Sequence, residues 1–67
     1  MNITLNNRSE VFDVESMTFE DLFKIKNFTF KLLVTKLNGK LVRKDERSTT
    51  YIKEDDDVMV LHLISGG

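Results

Sequence analysis

The N-terminal stretch of this 67-residue chain alternates between apolar and polar positions. Residues 2–6 read Asn2, Ile3, Thr4, Leu5, Asn6, a period of two that predicts a half-buried strand. Asn6-Asn7-Arg8-Ser9 predicts a turn, because asparagine tolerates positive φ. Residues 10–15 alternate again, with Val11 and Asp13 facing one way and Phe12 and Val14 the other. These two runs predict an N-terminal hairpin.

The period then changes. Thr18 is placed as a helix N-cap before Phe19-Glu20-Asp21-Leu22-Phe23-Lys24-Ile25-Lys26, with two acids in the first turn and two lysines near the end, as the helix dipole favours. Phe19, Leu22, Phe23 and Lys26 follow i, i+3, i+4, i+7 spacing, with Ile25 beside them, so one apolar face points to a core. Asn27 ends the helix. Phe28 to Leu37 predicts a strand that reaches Asn38-Gly39, a strong tight-turn dipeptide, and Leu41-Val42 is its short return. Arg43 to Thr50 is a polar surface connection, and Tyr51-Ile52 adds a little core. Glu54-Asp55-Asp56-Asp57 is a charged turn, Val58 to Ile64 an apolar strand, and Ser65-Gly66-Gly67 a loose tail. The order is two strands, a helix, a strand, a short strand and a strand. One helix covers only one face of a sheet of four or five strands. The expected class is α+β, with the element order of the ubiquitin-like β-grasp architecture, as a single domain over residues 1–67 with a flexible tail at 65–67.

Composition narrows the function. A chain this short buries only about 60% of the surface its unfolded state exposes. That leaves little room for a deep catalytic pocket and favours a carrier or binding module over a self-contained enzyme. Ten basic and eleven acidic residues give a net charge of −1, with no general drive towards nucleic acid or anionic membrane. Lys40, Arg43, Lys44 and Arg47 form a basic stretch without interleaved aromatics, hence without a stacking platform for bases. No apolar run approaches the roughly 20 residues that span a bilayer, and no secretory signal pattern opens the chain. The expected location is the cytoplasm and the expected free state a monomer. With no cysteine and one histidine, thiol catalysis, Cys-ligated zinc and Ser-His chemistry lack material.

The C-terminal Gly66-Gly67 pair is the main chemical feature. A carboxylate that must enter another enzyme's ATP site has to arrive on a thin, adaptable chain, and glycine has no Cβ to obstruct it. There the Gly67 carboxylate would become an acyl-adenylate, and a sulfur donor would then leave a thiocarboxylate. No cofactor is expected on this chain; ATP and its metal would belong to the partner. A second inference concerns the last strand. Val58, Val60, His62 and Ile64 share one face, and Met59, Leu61 and Leu63 the other. A helix covers one face only, so Met59, Leu61 and Leu63, with Ser65 beyond them, are expected to form a docking patch next to the tail. His62 is expected to be a partly buried strand residue. The acidic turn at 54–57 is read as solvated, with electrostatic steering as the alternative.

Along nearly its whole length the sequence resembles the ThiS family of thiamin-biosynthesis sulfur carriers. Ile3-Thr4-Leu5-Asn6-Asn7 resembles that family's opening strand and turn, and Thr18-Phe19-Glu20-Asp21-Leu22-Phe23 its capped helix start. Leu37-Asn38-Gly39-Lys40-Leu41-Val42 resembles its hairpin and aliphatic pair. Asp56-Asp57-Val58-Met59-Val60, with His62 beyond, resembles its acidic turn and final strand, and Ser65-Gly66-Gly67 its reactive tail. The resemblance implies adenylation of Gly67 by a ThiF-type enzyme, a sulfur donor protein, and delivery of sulfur to a ThiG-type thiazole synthase. Three departures bear on partner contact: Arg47 stands where a large apolar residue is common, Asp55 where glycine is, and Ser65 where a third glycine is. The alternatives are the small subunit of a molybdopterin-type synthase, a ubiquitin-like modifier joined to lysines, and an interaction module whose terminal glycines are accidental.

Overall fold

The computed structural model describes residues 1–28 and 33–62. Strand β1 (Asn2–Leu5) turns through Asn6 and Asn7, at φ 51° and 66°, into β2 (Arg8–Val11). Two consecutive positive φ values and the Leu5↔Arg8 register make this a two-residue hairpin of the primed type, whose twist matches the strands. Strand β2 begins at Arg8 and ends at Val11, earlier than the alternation predicts, because the turn takes only Asn6 and Asn7. Phe12 still enters the core, whereas Val14 lies outside it.

A three-residue strand β3 (Ser16–Thr18) leads into helix α1 (Phe19–Lys26). Thr18 Oγ1 accepts from the Asp21 N–H at 3.1 Å, and Asp21 Oδ2 accepts from the Thr18 N–H at 3.2 Å, a reciprocal capping box. At the other end Asn27 adopts the left-handed conformation (φ 58°). The Phe28 N–H closes back on the Phe23 carbonyl at 2.8 Å, satisfying a terminal helix carbonyl. Phe19 and Leu22 are wholly buried and Phe23 half-buried, while Ile25 is exposed on the flank.

Strand β4 (Leu33–Leu37) and β5 (Lys40–Val42) are joined by Asn38-Gly39, again with two positive φ values. A 3-10 turn (Lys44–Glu46), β6 (Tyr51–Lys53) and β7 (Asp57–His62) follow. The main sheet has the order β2-β1-β7-β4-β5, with β7 parallel to β1 and antiparallel to β4. The last strand is therefore the central one. Ile3, Leu5, Val42, Val58 and Val60 from the sheet meet Phe12, Met17, Phe19, Leu22 and Ile52 in one core. Five strands with a helix on one face are the expected β-grasp arrangement.

The sequence pattern does not reveal the ribbon of β3 with β6, registered Met17↔Ile52. Each strand has three residues and turns one apolar side chain inward, too short for a period to show. The ribbon closes the core beside the N-terminus of α1, with Met17 and Ile52 buried.

Candidate functional site

The inward residues of β7, Val58 and Val60, are buried. On its outer face Met59 is half-buried and Leu61 is 40% exposed. The alternation proposed for this strand holds from Val58 to Leu61, and Leu61 is open to solvent. Leu63, Ser65, Gly66 and Gly67 lie outside the described residues.

The sheet register adds neighbours to this face. Val34 lies opposite Leu61, Lys36 opposite Met59, and Leu41 opposite Lys36. Leu41 is 62% exposed. Val34 and Leu41 thus extend the apolar surface across three strands, around the Lys36 side chain. Sequence reasoning missed both: strands 33–37 and 40–42 alternate too, but only pairing shows that these faces adjoin. Beyond β7 the face turns polar with Thr4 and Ser9, which pair with each other.

His62 is exposed at the end of β7, opposite Leu33, rather than partly buried as expected. An eight-residue helix spans about 12 Å, whereas the six residues of β7 span about 20 Å. Helix α1 is thus shorter than β7, and His62 stands at the last described position of the strand.

The acidic turn sits at the opposite end of β7, about 17 Å from His62 along the strand. Glu54, Asp55 and Asp57 are exposed and Asp56 is half-buried, and the Glu54 and Asp56 carboxylates are engaged. Glu54 Oε1 and Oε2 accept from the Asn2 N–H and Nδ2 at 3.0 and 3.1 Å. Asp56 accepts from the Lys53 N–H at 2.8 Å and from Asn38 Nδ2 at 3.1 Å, while the Asp57 N–H donates to Asn38 Oδ1 at 2.8 Å. The Asn2 N–H, and then the Asn2 side chain, hold the Glu54 carboxyl below the usual glutamate range. The turn thereby ties together the starts of β1 and β7 and the β4–β5 hairpin.

The structure gives Arg47 and Asp55, two of the three residues noted above, defined places. Arg47 faces inward. Its Nε donates to Thr35 Oγ1 at 3.1 Å, its Nη2 to the Leu33 carbonyl at 2.8 Å, and its guanidinium lies over the Phe23 ring. It fills, with a cation, a place where an apolar side chain would also pack. Asp55 has φ 68°, a left-handed conformation that favours glycine and that aspartate tolerates.

Among the described residues no cluster of three or more histidines, aspartates and glutamates is arranged to hold a metal. No helix there is long and apolar enough to cross a membrane.

The helix on one face, the central C-terminal strand and the exposed apolar outer face define a ubiquitin-like β-grasp domain. The chain belongs to the ThiS family, whose model matches residues 2–67. The crystal structure of a thiamine biosynthesis protein (ThiS) from Geobacter metallireducens is similar over 100% of both chains, with a TM-score of 0.89 and 26% identity. The solution structure of a thiamine biosynthesis protein from the same organism is similar over 100% of this chain and 88% of that one, with a TM-score of 0.81 and 28% identity. Comparison with curated proteins finds no match.

Proposed function

We propose that this chain is a sulfur carrier for thiamin biosynthesis, a co-substrate and not a catalyst. The observation that carries this reading is the family match over residues 2–67, which takes in Gly66-Gly67. Membership supports the carrier chemistry, and the outward face of Met59 (half-buried) and Leu61 (exposed) offers a surface on which a partner can seat the domain.

In this mechanism the Gly67 carboxylate attacks the α-phosphorus of ATP in a ThiF-type enzyme. Pyrophosphate leaves and an acyl-adenylate forms. Hydrosulfide released by the donor protein then attacks the acyl carbon, the acyl–phosphate bond breaks with AMP as the leaving group, and the terminus becomes a thiocarboxylate. A ThiG-type thiazole synthase takes the sulfur. The carrier's part is delivery, since Gly66 and Gly67 bring no side chain into the partner's channel. Met59 and Leu61, with Leu63 and Ser65 beyond them, contribute the docking contact. The partner supplies ATP, its metal and the electrostatic stabilisation of the transferring phosphoryl group.

The test is the intact mass of the protein after incubation with the adenylating enzyme, ATP and a sulfur source. Replacement of one terminal oxygen by sulfur, lost on deletion of Gly67, is the expected result. An unchanged mass with an active partner and donor would overturn the reading.

A further inference from the structure

The parallel ladder between β1 and β7 is short. Its register covers Thr4↔Asp57 and Leu5↔Val58 and closes with the Asn6 N–H donating to the Val58 carbonyl at 2.9 Å. The backbone then leaves through the positive-φ pair Asn6 and Asn7 and returns as β2. A partner strand continuing alongside β7 would offer a carbonyl to the Val60 N–H and an N–H to the Val60 carbonyl. The Asn6 side chain offers both. Its Oδ1 accepts from the Val60 N–H at 2.8 Å, and its Nδ2 donates to the Val60 carbonyl at 3.2 Å. A carboxamide carries the same donor and acceptor as a peptide unit. Asn6 thus prolongs the ladder by one peptide unit after the main chain has turned away.

The turn itself asks only for positive φ, which glycine or aspartate would also meet. The paired hydrogen bonds to Val60 are additional to that requirement. On its other side Val60 pairs with Thr35 of β4. Both main-chain polar groups of Val60 point to Asn6, so the Thr35 pair is a non-hydrogen-bonded one and the carboxamide supplies the hydrogen bonds of this residue, two positions before β7 ends.

We propose that Asn6 is a positioning residue for the chemistry at Gly67. By holding Val60 it fixes the end of β7, the strand through which the chain runs on in sequence to Gly67, and so the aim of that carboxylate at the partner's ATP site. This rests on the reading of Gly67 as the adenylated carboxylate. Asn6 touches no reacting atom and acts through β7.

The test compares Asn6→Gly, which keeps the turn conformation and removes the carboxamide, with Asn6→Asp, which keeps an acceptor and loses the donor. Amide exchange is followed at Val60 and, as a control on the fold, at Thr4, whose N–H bonds to the Asp56 carbonyl. Adenylation is followed as ATP–pyrophosphate exchange with the adenylating enzyme. In Asn6→Gly, exchange at Val60 accelerates about tenfold or more while Thr4 stays protected. In both variants kcat falls about fivefold to tenfold at unchanged KM, the mark of a docked domain whose terminus is misaimed. A purely structural role would deplete the folded carrier, raise KM and leave kcat alone, and that pattern would overturn the proposal. So would an unaltered Val60 exchange rate. Wild-type protein that supports no pyrophosphate exchange refutes the adenylation reading and the positioning role with it. Variants as fast as an active wild type refute the positioning role alone.

Discussion

The guanidinium of Arg47 lies 5.4 Å from the centre of the Phe23 ring, and the same side chain bonds to Thr35 and to the Leu33 carbonyl. Its own carbonyl accepts from the Glu20 N–H at 3.3 Å, near the start of α1. One residue thus joins the 43–50 connection to the start and the middle of the helix and to β4.

Arg47→Ala is expected to destabilise the domain by about 1–3 kcal/mol, through two lost hydrogen bonds and a lost cation–π contact. Arg47→Lys recovers less than half of that, since an ammonium lacks the planar fork that reaches two acceptors and stacks on a ring. Urea denaturation measures both. An alanine variant within about 0.5 kcal/mol of wild type would show that the contact is incidental.

Asp55 holds a left-handed conformation while its N–H donates to the Asn2 carbonyl at 2.7 Å. Asp55→Gly keeps that bond and relieves the conformational cost, with an expected gain of about 0.5–1 kcal/mol. Asp55→Val, β-branched in the same conformation, loses about 1–2 kcal/mol. Thermal melts of the two variants should move in opposite directions, and a shift of the same sign would refute the strain argument.

Glu54 predicts a pH dependence. The Asn2 N–H and side chain lower its pKa in the folded state relative to the unfolded chain. Its contribution is therefore present above the ordinary glutamate pKa and is lost as pH falls through the lower folded value. Tm should decline in wild type as pH falls through and below the ordinary glutamate range of about 4.3, and decline less in Glu54→Gln, whose side chain does not titrate. Parallel declines would assign the acid sensitivity to other carboxylates.

Met59 and Leu61 should matter to a partner more than to the fold. Polar replacements at both, such as Met59→Ser with Leu61→Ser, remove outward-facing surface that is not part of the buried core. The expected stability cost is about 1 kcal/mol or less, alongside a rise of about tenfold or more in KM for partner activation. Activation kinetics equal to wild type, in a variant that melts like wild type, would remove this face from the interface.

Much of the fold was legible in local chemistry. Thr18 and Asp21 cap the helix where threonine before an acidic turn suggests, and Asn27 ends it by the left-handed conformation asparagine tolerates. Asn38-Gly39 makes the hairpin its dipeptide announces. The alternation from Val58 to Leu61 sorted core from outer face without reference to any other strand. The β3–β6 ribbon was illegible because Met17 and Ile52 are single inward residues that acquire meaning only through each other.

Short-range signals specified the capped helix, the two asparagine turns, the alternation of the last strand and the terminal Gly-Gly. Each depends on residues a few positions apart, so each is written locally. The tertiary structure decided what depends on neighbours far along the chain. It placed β7 in the centre of the sheet, brought Val34 and Leu41 beside Met59 and Leu61, turned Arg47 inward onto Phe23, and set the Asn6 carboxamide against Val60, 54 residues away. The physical reason is that strand pairing and side-chain hydrogen bonds are satisfied by whatever the fold brings within about 3 Å, a distance that no spacing in the sequence encodes.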